Sequence, residues 1–361
     1  MQLQRLRVRD FRCLPQVGMT PAPGLNAITG DNASGKTSLL EAIHLLGRGQ
    51  TFTGVTGDRL IREGASAFTV VGDLVDSRGN NHRIGVGRQS AETRFRLDGR
   101  DAPSRLALVE QLPIQIIDPN LHRLVEAGPD QRRRYLDWGV FHVEHGFFEA
   151  WRRYRRALRQ RNAALRRGAD LATVVAWDRD LVEAGNAVDA CRRGYVDTLM
   201  PVLKGIVTDI LGEFELTLSY HPGWAVGEDF SDALIRGLDG DQRAGFTHAG
   251  PHRADLRIRV GHSRARDWVS RGQQKVISAA MLLAQAVLMI ERRGIQPVLL
   301  IDDIAAELGE PYRQALLERI VDSGVQAFVT FLDPGLIPTG VACGGMFHVE
   351  HGVVHARGGR G

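Results

Sequence analysis

One segment near the N-terminus constrains the fold of this chain more than any other. Its eight residues, GDNASGKT, fit the pattern G-x-x-x-x-G-K-[ST], in which backbone N–H groups wrap around phosphates. The apolar run 25–29 before it indicates a short buried strand, while Leu39, Ile43 and Leu46 after it recur at helical spacing. We expect this helix to stop at Gly47. A strand, a glycine-rich loop and a helix in this order predict a triphosphate site at the helix N-terminus, formed by Gly30, Asp31, Asn32, Ala33, Ser34, Gly35, Lys36 and Thr37.

The distribution of lysine supports this interpretation. Of the 46 basic residues only three are lysine, namely Lys36, Lys204 and Lys275, and the other 43 are arginine. A lysine therefore stands at the one loop position where a compact point charge must reach the β and γ oxygens of a nucleotide. Lys36 is predicted to bind the triphosphate and to stabilise charge on the transferring phosphoryl group.

Composition indicates a globular protein of a reducing compartment. The 361 residues suffice for two domains, or for one large domain with an insertion, and the hydrophobic fraction of 43% is ordinary. Cys13, Cys191 and Cys343 are isolated and form no C-x-x-C motif. The longest mostly apolar run, 276–290, is shorter than the roughly 20 residues of a membrane-spanning helix, and the N-terminus lacks a signal-peptide pattern. We expect a cytoplasmic protein without membrane contacts, in which this run is a buried helix.

A second apolar strand, in the segment PVLLIDD, ends in two carboxylates, Asp302 and Asp303. In P-loop ATPases such a strand lies beside the one that feeds the loop, and its first acid helps to hold Mg²⁺. Neighbouring side chains on a strand point to opposite faces, so the two acids can have different roles. We predict that Thr37 and Asp302 hold Mg²⁺, directly or through water. Asp303 is predicted to face the γ-phosphate and to orient or deprotonate the attacking water.

A third motif, VSRGQQK, immediately precedes the apolar run and resembles the L-S-G-G-Q signature of ABC-type ATPases. Ser270 is a plausible helix N-cap, and Gly272 permits close approach of the backbone to a phosphate. In that superfamily the signature completes the nucleotide site of a second subunit. The resemblance therefore implies that Ser270, Gly272 and Gln273 contact ATP held by a partner copy, and that ATP drives formation of a homodimer.

The middle of the chain is rich in arginine and has helical periodicity. Residues 151–167 contain eight arginines, while Trp151, Tyr154, Leu158 and Leu165 share one helical face. Such a helix suits contact with the phosphates of DNA, which is independent of base sequence and sensitive to salt. The alternative is a solvated helix whose arginines pair with nearby acids. The ATPase motifs favour nucleic acid, and the predicted DNA contacts are Arg152, Arg153, Arg155 and Arg156.

Motif spacing predicts an α/β fold, namely an ABC-type P-loop ATPase head with a mixed sheet, flanking helices and an inserted, mainly helical lobe. Residues 1–120 and 240–361 are expected to form the ATPase domain, with the phosphate loop in the first part and the signature and acidic strand in the second. Residues 121–239 are expected to form the arginine-rich lobe. The insertion is too long for a transporter subunit and lacks the sustained heptads of the long chromosome-maintenance ATPases.

Taken together, the motifs resemble those of the RecF family, the recombination-repair ATPases of the structural-maintenance-of-chromosomes branch. The resemblance covers nearly the whole chain. The segment LRVRDFR is similar to the family's opening strand that ends in N-F-R, with Asp10 in place of asparagine. Four other segments that resemble family motifs are GPDQRRRYLD at 128–137, QRNAAL at 160–165, GPHRAD at 250–255 and SRGQQK at 270–275.

The resemblance implies a function beyond what spacing predicts. Members of the family bind single- and double-stranded DNA and gap junctions, dimerise with ATP and hydrolyse it slowly. With RecO and RecR they promote loading of RecA, and so support replication restart and the SOS response. A weak, DNA-stimulated ATPase that acts as a switch is the implied activity. The rival interpretations are a transporter ATPase subunit and a DNA-binding scaffold with a vestigial nucleotide site.

Several positions depart from these patterns or stay open. The family's S-E-L-D segment appears here with Ala306 and Gly309, which puts rapid hydrolysis in doubt, and Thr330 occupies the position where transporters use histidine. Gln115 is a candidate for the glutamine that senses Mg²⁺, and His252 is either a nucleotide contact or a structural histidine. The hexapeptide FHVEHG occurs at 141–146 and again at 347–352, which we interpret as coincidence or packing because its histidine spacing does not fit a helical metal site.

Overall fold

The computed structural model describes residues 1–357 and divides them into two compact units. The first unit comprises 1–121, 209–212 and the chain from Arg271 onward, and the second comprises 122–208 and 213–270. The strands are β1 (Gln2–Phe11), β2 (Leu14–Met19), β3 (Leu25–Thr29), β4 (Ala67–Val75), β5 (Asn81–Gln89), β6 (Glu92–Leu97), β7 (Arg100–Asp101), β8 (Ile114–Ile117), β9 (Leu216–His221), β10 (Asp255–Val260), β11 (Ser263–Arg264), β12 (Val298–Ile301), β13 (Gln326–Phe331), β14 (Gly345–Glu350) and β15 (Val353–Arg357).

The helices of both units complete the element list. They are α1 (Lys36–Arg48), α2 (Arg105–Gln111), α3 (Arg123–Glu126), α4 (Pro129–Val143), α5 (Phe147–Arg166), α6 (Leu171–Val175), α7 (Asp178–Leu211), α8 (Phe230–Ala244), α9 (Ala265–Trp268), α10 (Arg271–Arg293), α11 (Ile304–Glu307) and α12 (Glu310–Ser323). Short 3₁₀ turns lie at Gly57–Leu60, Pro251–Arg253 and Pro334–Leu336.

The first unit contains two six-stranded sheets. One is antiparallel, in the order β2-β1-β4-β5-β6-β7, and the other has the order β15-β14-β3-β13-β12-β8 with only β15 antiparallel to its neighbour. Side chains of both sheets and of α1 form one apolar core, because α1 is buried on almost every side from Ser38 to Gly47. Strand β3, which leads into the phosphate loop, is completely buried, as its apolar sequence predicts.

The predicted end of α1 is wrong by two residues. Gly47 lies inside the helix, where a Cβ atom would come within 2.2 Å of the Leu112 carbonyl oxygen, so it permits close packing. The helix ends instead at Gly49, which has a φ of 64° and donates its N–H to the Leu45 carbonyl. A glycine in the left-handed conformation is a common end of a helix.

Helix α10 is the core helix that the apolar run predicts, and it extends beyond that run at both ends. Its 23 residues contain an 18-residue window with a mean hydropathy of 1.4, and among the described helices it is the one long and apolar enough to cross a membrane. However, 72% of its most apolar window is buried inside the protein. Within the first unit, Gln285 of this helix accepts a 2.7 Å hydrogen bond from Gln115 on β8. Gln115 is therefore held as a buried structural residue.

The second unit is mainly helical and includes a three-stranded antiparallel sheet, β11-β10-β9. Its extent differs from the predicted lobe, because residues 240–270 belong to it and not to the ATPase unit. Buried charges explain the difference. Arg161 of α5 bonds Asp241 and Thr247, and Arg132 of α4 forms a bidentate pair with Asp255 of β10. These bonds tie the later segment to the helices before it.

Candidate nucleotide-binding site

The phosphate loop follows β3 and ends at the first turn of α1. Gly30, Ala33 and Gly35 have φ values of 151°, 61° and 118°. Two of these positions are glycines, which adopt such angles without the steric cost of a Cβ atom. The loop therefore turns sharply onto the N-terminus of α1, where unpaired N–H groups and the helix dipole favour an anion.

Lys36 lies across this loop. Its Nζ donates to the carbonyl oxygens of Gly30, at 2.6 Å, and of Asp31, at 2.8 Å. Partial burial lowers the pKa of Lys36, and the negative charges of Asp303, Asp302 and Asp31 act in the opposite direction. The ammonium group is thus held at the loop by neutral oxygens that a phosphate can replace as its partner.

The two predicted metal ligands are in direct contact. The Thr37 hydroxyl donates to the Asp302 carboxylate, with Oγ1 lying 3.0 Å from Oδ2 and 3.2 Å from Oδ1. Asp302 is buried, which raises its pKa, whereas its hydrogen bonds from Thr330 and Thr37 act in the opposite direction. A hydroxyl and a carboxylate at this separation are hard oxygen donors of the kind that Mg²⁺ prefers. The donor set therefore fits this ion.

Strand order corrects one expectation about the acidic strand. β12 does not lie beside β3, because β13 is hydrogen-bonded between them. The interposed strand contributes Thr330, whose Oγ1 donates to Asp302 Oδ1 at 2.9 Å and accepts the N–H of Asp303 at 2.7 Å. The sequence identifies Thr330 by its position, but its bonds to both acids are visible only in the structure.

Asp303 differs from Asp302 in both conformation and exposure. The strand ends at Ile301, and Asp303 has a φ of 52°, in the left-handed region. Aspartate tolerates this conformation better than most residues, and strained backbone is frequent at functional sites. Asp302 is buried and Asp303 is exposed, so one acid is available to a metal beside Thr37 and the other to a group in solution.

The signature residues lie at the start of α10. Ser270 directly precedes the helix, Gly272 is in its first turn, and both are exposed. Gln273 is partly buried in the same turn, and Lys275 forms a 2.7 Å ion pair with Glu307 of α11. Ala306 is exposed close to this ion pair, and Gly309 precedes α12 without a side-chain cap. The start of α10 therefore presents a serine and a glycine at the surface.

The arginine-rich helix α5 has arginines of two kinds. The predicted DNA contacts Arg152, Arg153, Arg155 and Arg156 are all exposed. Arg153 pairs with Glu183 at 3.3 Å, and Arg152 lies 3.9 Å from Glu149, so solvated pairing accounts for part of this face. Arg161, by contrast, is completely buried and bonds Asp178 and Asp241. It stabilises the second unit and cannot reach a ligand.

His252 is a structural histidine in this structure. Its Nδ1 lies 2.5 Å from the Tyr154 hydroxyl, and its Nε2 lies 3.0 Å from the Thr247 carbonyl oxygen. Burial lowers the pKa of His252 to about 4. A neutral imidazole with a proton on Nε2 satisfies both contacts. Both ring nitrogens of His252 are therefore hydrogen-bonded within the second unit.

Comparison with known proteins gives consistent likenesses. A family model for the RecF/RecN/SMC N-terminal domain matches residues 2–355. The DNA replication and repair protein RecF of Pseudomonas paraeruginosa is 43% identical over 359 residues, which cover 98% of this chain and 97% of the relative. RecF of Stutzerimonas stutzeri is 42% identical with the same coverage.

Solved structures point the same way. A structure of the recombination mediator protein RecF with ATP, of the RecFOR pathway, superposes with a TM-score of 0.85 at 25% identity, covering 99% of this chain and 98% of that one. An Smc head domain from Pyrococcus furiosus has a TM-score of 0.63 at 15% identity, with coverage of 99% and 96%, and is alike in fold. These likenesses confirm the expected α/β ATPase-head fold.

Proposed function

Since the chain belongs to the RecF family of DNA replication and repair proteins, we propose that it is an ATP-dependent DNA-binding protein of recombinational repair and replication restart. The observation that carries this proposal is the cluster at the phosphate loop, where Lys36 bonds the loop carbonyls, Thr37 bonds Asp302, and the charges of Asp302 and Asp303 act on Lys36. The solved RecF structure that contains ATP supports ATP as the nucleotide.

The same residues suggest how hydrolysis proceeds. The loop N–H groups and Lys36 hold the β and γ phosphates, and Thr37 and Asp302 hold Mg²⁺, which supplies charge neutralisation on the phosphate oxygens when bound. Asp303 orients a water molecule and accepts its proton as the oxygen attacks phosphorus and the bond to ADP breaks. With Ala306 and Gly309 in place of polar side chains we expect slow turnover, stimulated by DNA, so that hydrolysis resets a switch.

Two copies are proposed to share each nucleotide. The exposed turn with Ser270, Gly272 and Gln273 of one copy would contact the γ-phosphate held by the loop of the other. A helix N-terminus is suited to that contact because its N–H groups point along the axis toward the anion. ATP would therefore act as the link between the two subunits, and its hydrolysis would separate them.

DNA would be held by the exposed arginines of α5, through phosphates of single strands, duplexes and gap junctions. The partners that the family resemblance implies are RecR and RecO, with loading of RecA and the SOS response as the outcome. The relatives' description as RecF, and the RecFOR pathway of the solved structure, support these partners. A cytoplasmic location without membrane contacts follows from the same function.

The central test is the mass of the protein in solution, measured by light scattering with and without ATP and gapped duplex DNA. We expect the wild type to dimerise with ATP and to retain DNA better in that state. Lys36→Arg keeps the charge but not the compact ammonium, so we expect it to lose hydrolysis. Oligomerisation or DNA binding that is indifferent to ATP would support a scaffold with a vestigial site, and absence of DNA binding would favour a transporter subunit.

Replacing Arg152, Arg153, Arg155 and Arg156 by alanine is expected to weaken DNA binding and to flatten its dependence on salt. Each lost phosphate contact reduces the slope of log K against log salt by about 0.9 on duplex DNA, so the total change is up to about 3 to 4. The slope would be measured by fluorescence anisotropy at several salt concentrations. The matched control replaces four exposed arginines of the first unit, Arg83, Arg94, Arg96 and Arg100. Equal slopes for the two variants would assign the effect to net charge and not to α5.

A further inference from the structure

The last hairpin of the described chain, β14–β15, lies directly against the phosphate loop. β14 runs parallel to β3, and Phe347 and His348 pair with Ile28 and Thr29 at the end of that strand. The Thr29 hydroxyl adds a side-chain bond, because its Oγ1 donates to the Phe347 carbonyl at 3.2 Å. β14 is therefore the strand next to β3 at the point where β3 enters the loop. The turn that follows β14 passes beside the loop.

The hairpin contacts the loop at both of its ends. At the start of the loop, a Cβ atom on Gly30 would lie only 2.3 Å from the Val349 carbonyl oxygen. At the far end, the Gly352 N–H donates to the Ser34 carbonyl at 2.8 Å, and the Gly352 Cα would lie 3.5 Å from a Cβ on Gly35. Gly30 thus has a second role, since the absence of a Cβ atom makes room for the backbone of the hairpin.

The turn itself is fixed from the opposite side. His351 and Gly352 have φ values of 49° and 79°, the two successive positive angles of a tight two-residue hairpin turn. A Cβ on Gly352 would lie 2.2 Å from the Cys13 carbonyl oxygen and 3.1 Å from Pro15 Cδ. Gly352, which is buried, therefore lies between the phosphate loop and the connection from β1 to β2, whereas His351 of the same turn is exposed.

We propose that this hairpin positions the phosphate loop, and that Val349 and Gly352 hold it in the shape that binds the triphosphate. A glycine-rich loop has many accessible backbone conformations, and binding must select one of them. Contacts that hold the loop in the binding conformation before the nucleotide arrives, which we call the brace, lower the entropy lost on binding. The inference rests on the proposed function, because it presumes that this loop binds ATP. It assigns a positioning role to a segment that carries none of the nucleotide motifs.

The test compares Gly352→Ala with Gly99→Ala. Gly99 also follows a residue of positive φ, with angles of 49° at Asp98 and 82° at Gly99, but a Cβ there would meet no atom within 4 Å. Both substitutions impose the same backbone strain in a hairpin turn. Only the substitution at Gly352 also forces the turn away from its neighbours. The pair therefore separates loss of the brace from a general loss of stability.

The readouts are the Kd of a fluorescent ATP analogue, the KM and kcat of hydrolysis, and the Tm. We expect Gly352→Ala to raise Kd and KM about tenfold or more with a much smaller change in kcat, because the loop residues that do chemistry are retained. Gly99→Ala is expected to leave Kd and KM at the wild-type level even where its Tm falls. Equal Kd values for Gly352→Ala and the wild type, or equal losses in both variants, would overturn the proposal.

A milder variant covers the case in which Gly352→Ala does not fold. Thr29→Val removes the hydroxyl that binds the Phe347 carbonyl while keeping the shape of the side chain, and it should raise Kd in the same direction by a smaller factor. If in that case the Kd of Thr29→Val equals that of the wild type, the proposed role of the hairpin is wrong. Failure of the wild type to bind the analogue at all would instead refute the proposed function, so the two failures are distinguishable.

Discussion

Ser270→Arg is expected to weaken ATP-dependent pairing of the protein strongly. Ser270 is exposed and directly precedes α10, so its side chain stands at the helix end that would approach the partner's γ-phosphate. An arginine at this position would place a long side chain between the helix end and the partner's phosphate. It would also remove a small hydroxyl that can cap the helix. The few residues that dominate an interface each cost about 2 kcal/mol or more when they are changed, so with Ser270 at the shared nucleotide we expect the dimer to weaken by about thirtyfold or more. Light scattering with and without ATP measures the loss.

A matched serine controls for the added charge and for the helix terminus. Ser104 is also exposed and directly precedes a helix, α2, without capping it through its side chain. Ser104→Arg should therefore pair with ATP as the wild type does. If Ser270→Arg pairs equally well, the shared nucleotide site is wrong, and the first turn of α10 has another purpose.

Asp303→Asn is expected to slow hydrolysis by about a hundredfold or more while leaving ATP binding and pairing intact. The amide cannot accept the proton of the attacking water, and a positioned general base contributes about 10² to 10⁴ in rate. Asparagine tolerates the left-handed φ of 52°, and the backbone N–H to Thr330 is unaffected. The variant should therefore accumulate as an ATP-bound dimer. Single-turnover release of phosphate measures the rate, and light scattering follows the dimer.

The neighbouring acid provides the contrast for that experiment. Asp302→Asn changes the proposed metal ligand, so its expected effect is on the Mg²⁺ concentration needed for ATP binding and not on the proton transfer. If Asp303→Asn retains hydrolysis within about threefold, its carboxylate is not the base, and another group must activate the water.

Much of the fold follows from local sequence patterns. The strand before the phosphate loop, the helix after it, and the amphipathic α5 are recognisable because their periodicity agrees with their final environment. Strand order is not encoded locally. The position of β13 between β3 and β12 depends on how distant segments pair, so the expectation that the two motif strands are neighbours is wrong.

The repeated hexapeptide FHVEHG shows why local sequence is not sufficient. At 141–146 it ends helix α4 and enters the next turn, whereas at 347–352 it forms the end of β14 and the hairpin turn. The same six residues therefore adopt different structures, because packing of the surrounding segments outweighs intrinsic propensity. Its second copy includes the residues that contact the phosphate loop, and no pattern within the hexapeptide indicates this.

Charge is also ambiguous in a sequence read alone. Arg161 lies among seven other arginines of the same segment, yet it is completely buried and paired with acids from distant positions. Arg192 is likewise buried against Asp137. An isolated buried charge is costly, so such arginines require partners, and only the folded chain reveals which partners are within reach.

The hydroxyl of Thr330 connects the two acids for which we propose different roles in hydrolysis. Because it donates to the carboxylate of Asp302 and accepts from the backbone N–H of Asp303, a change at Thr330 would move the proposed metal ligand and the proposed general base together. Affinity for the metal and the rate of hydrolysis should therefore vary together among proteins that differ at this position. An engineered variant with faster hydrolysis will need compensating changes on two strands.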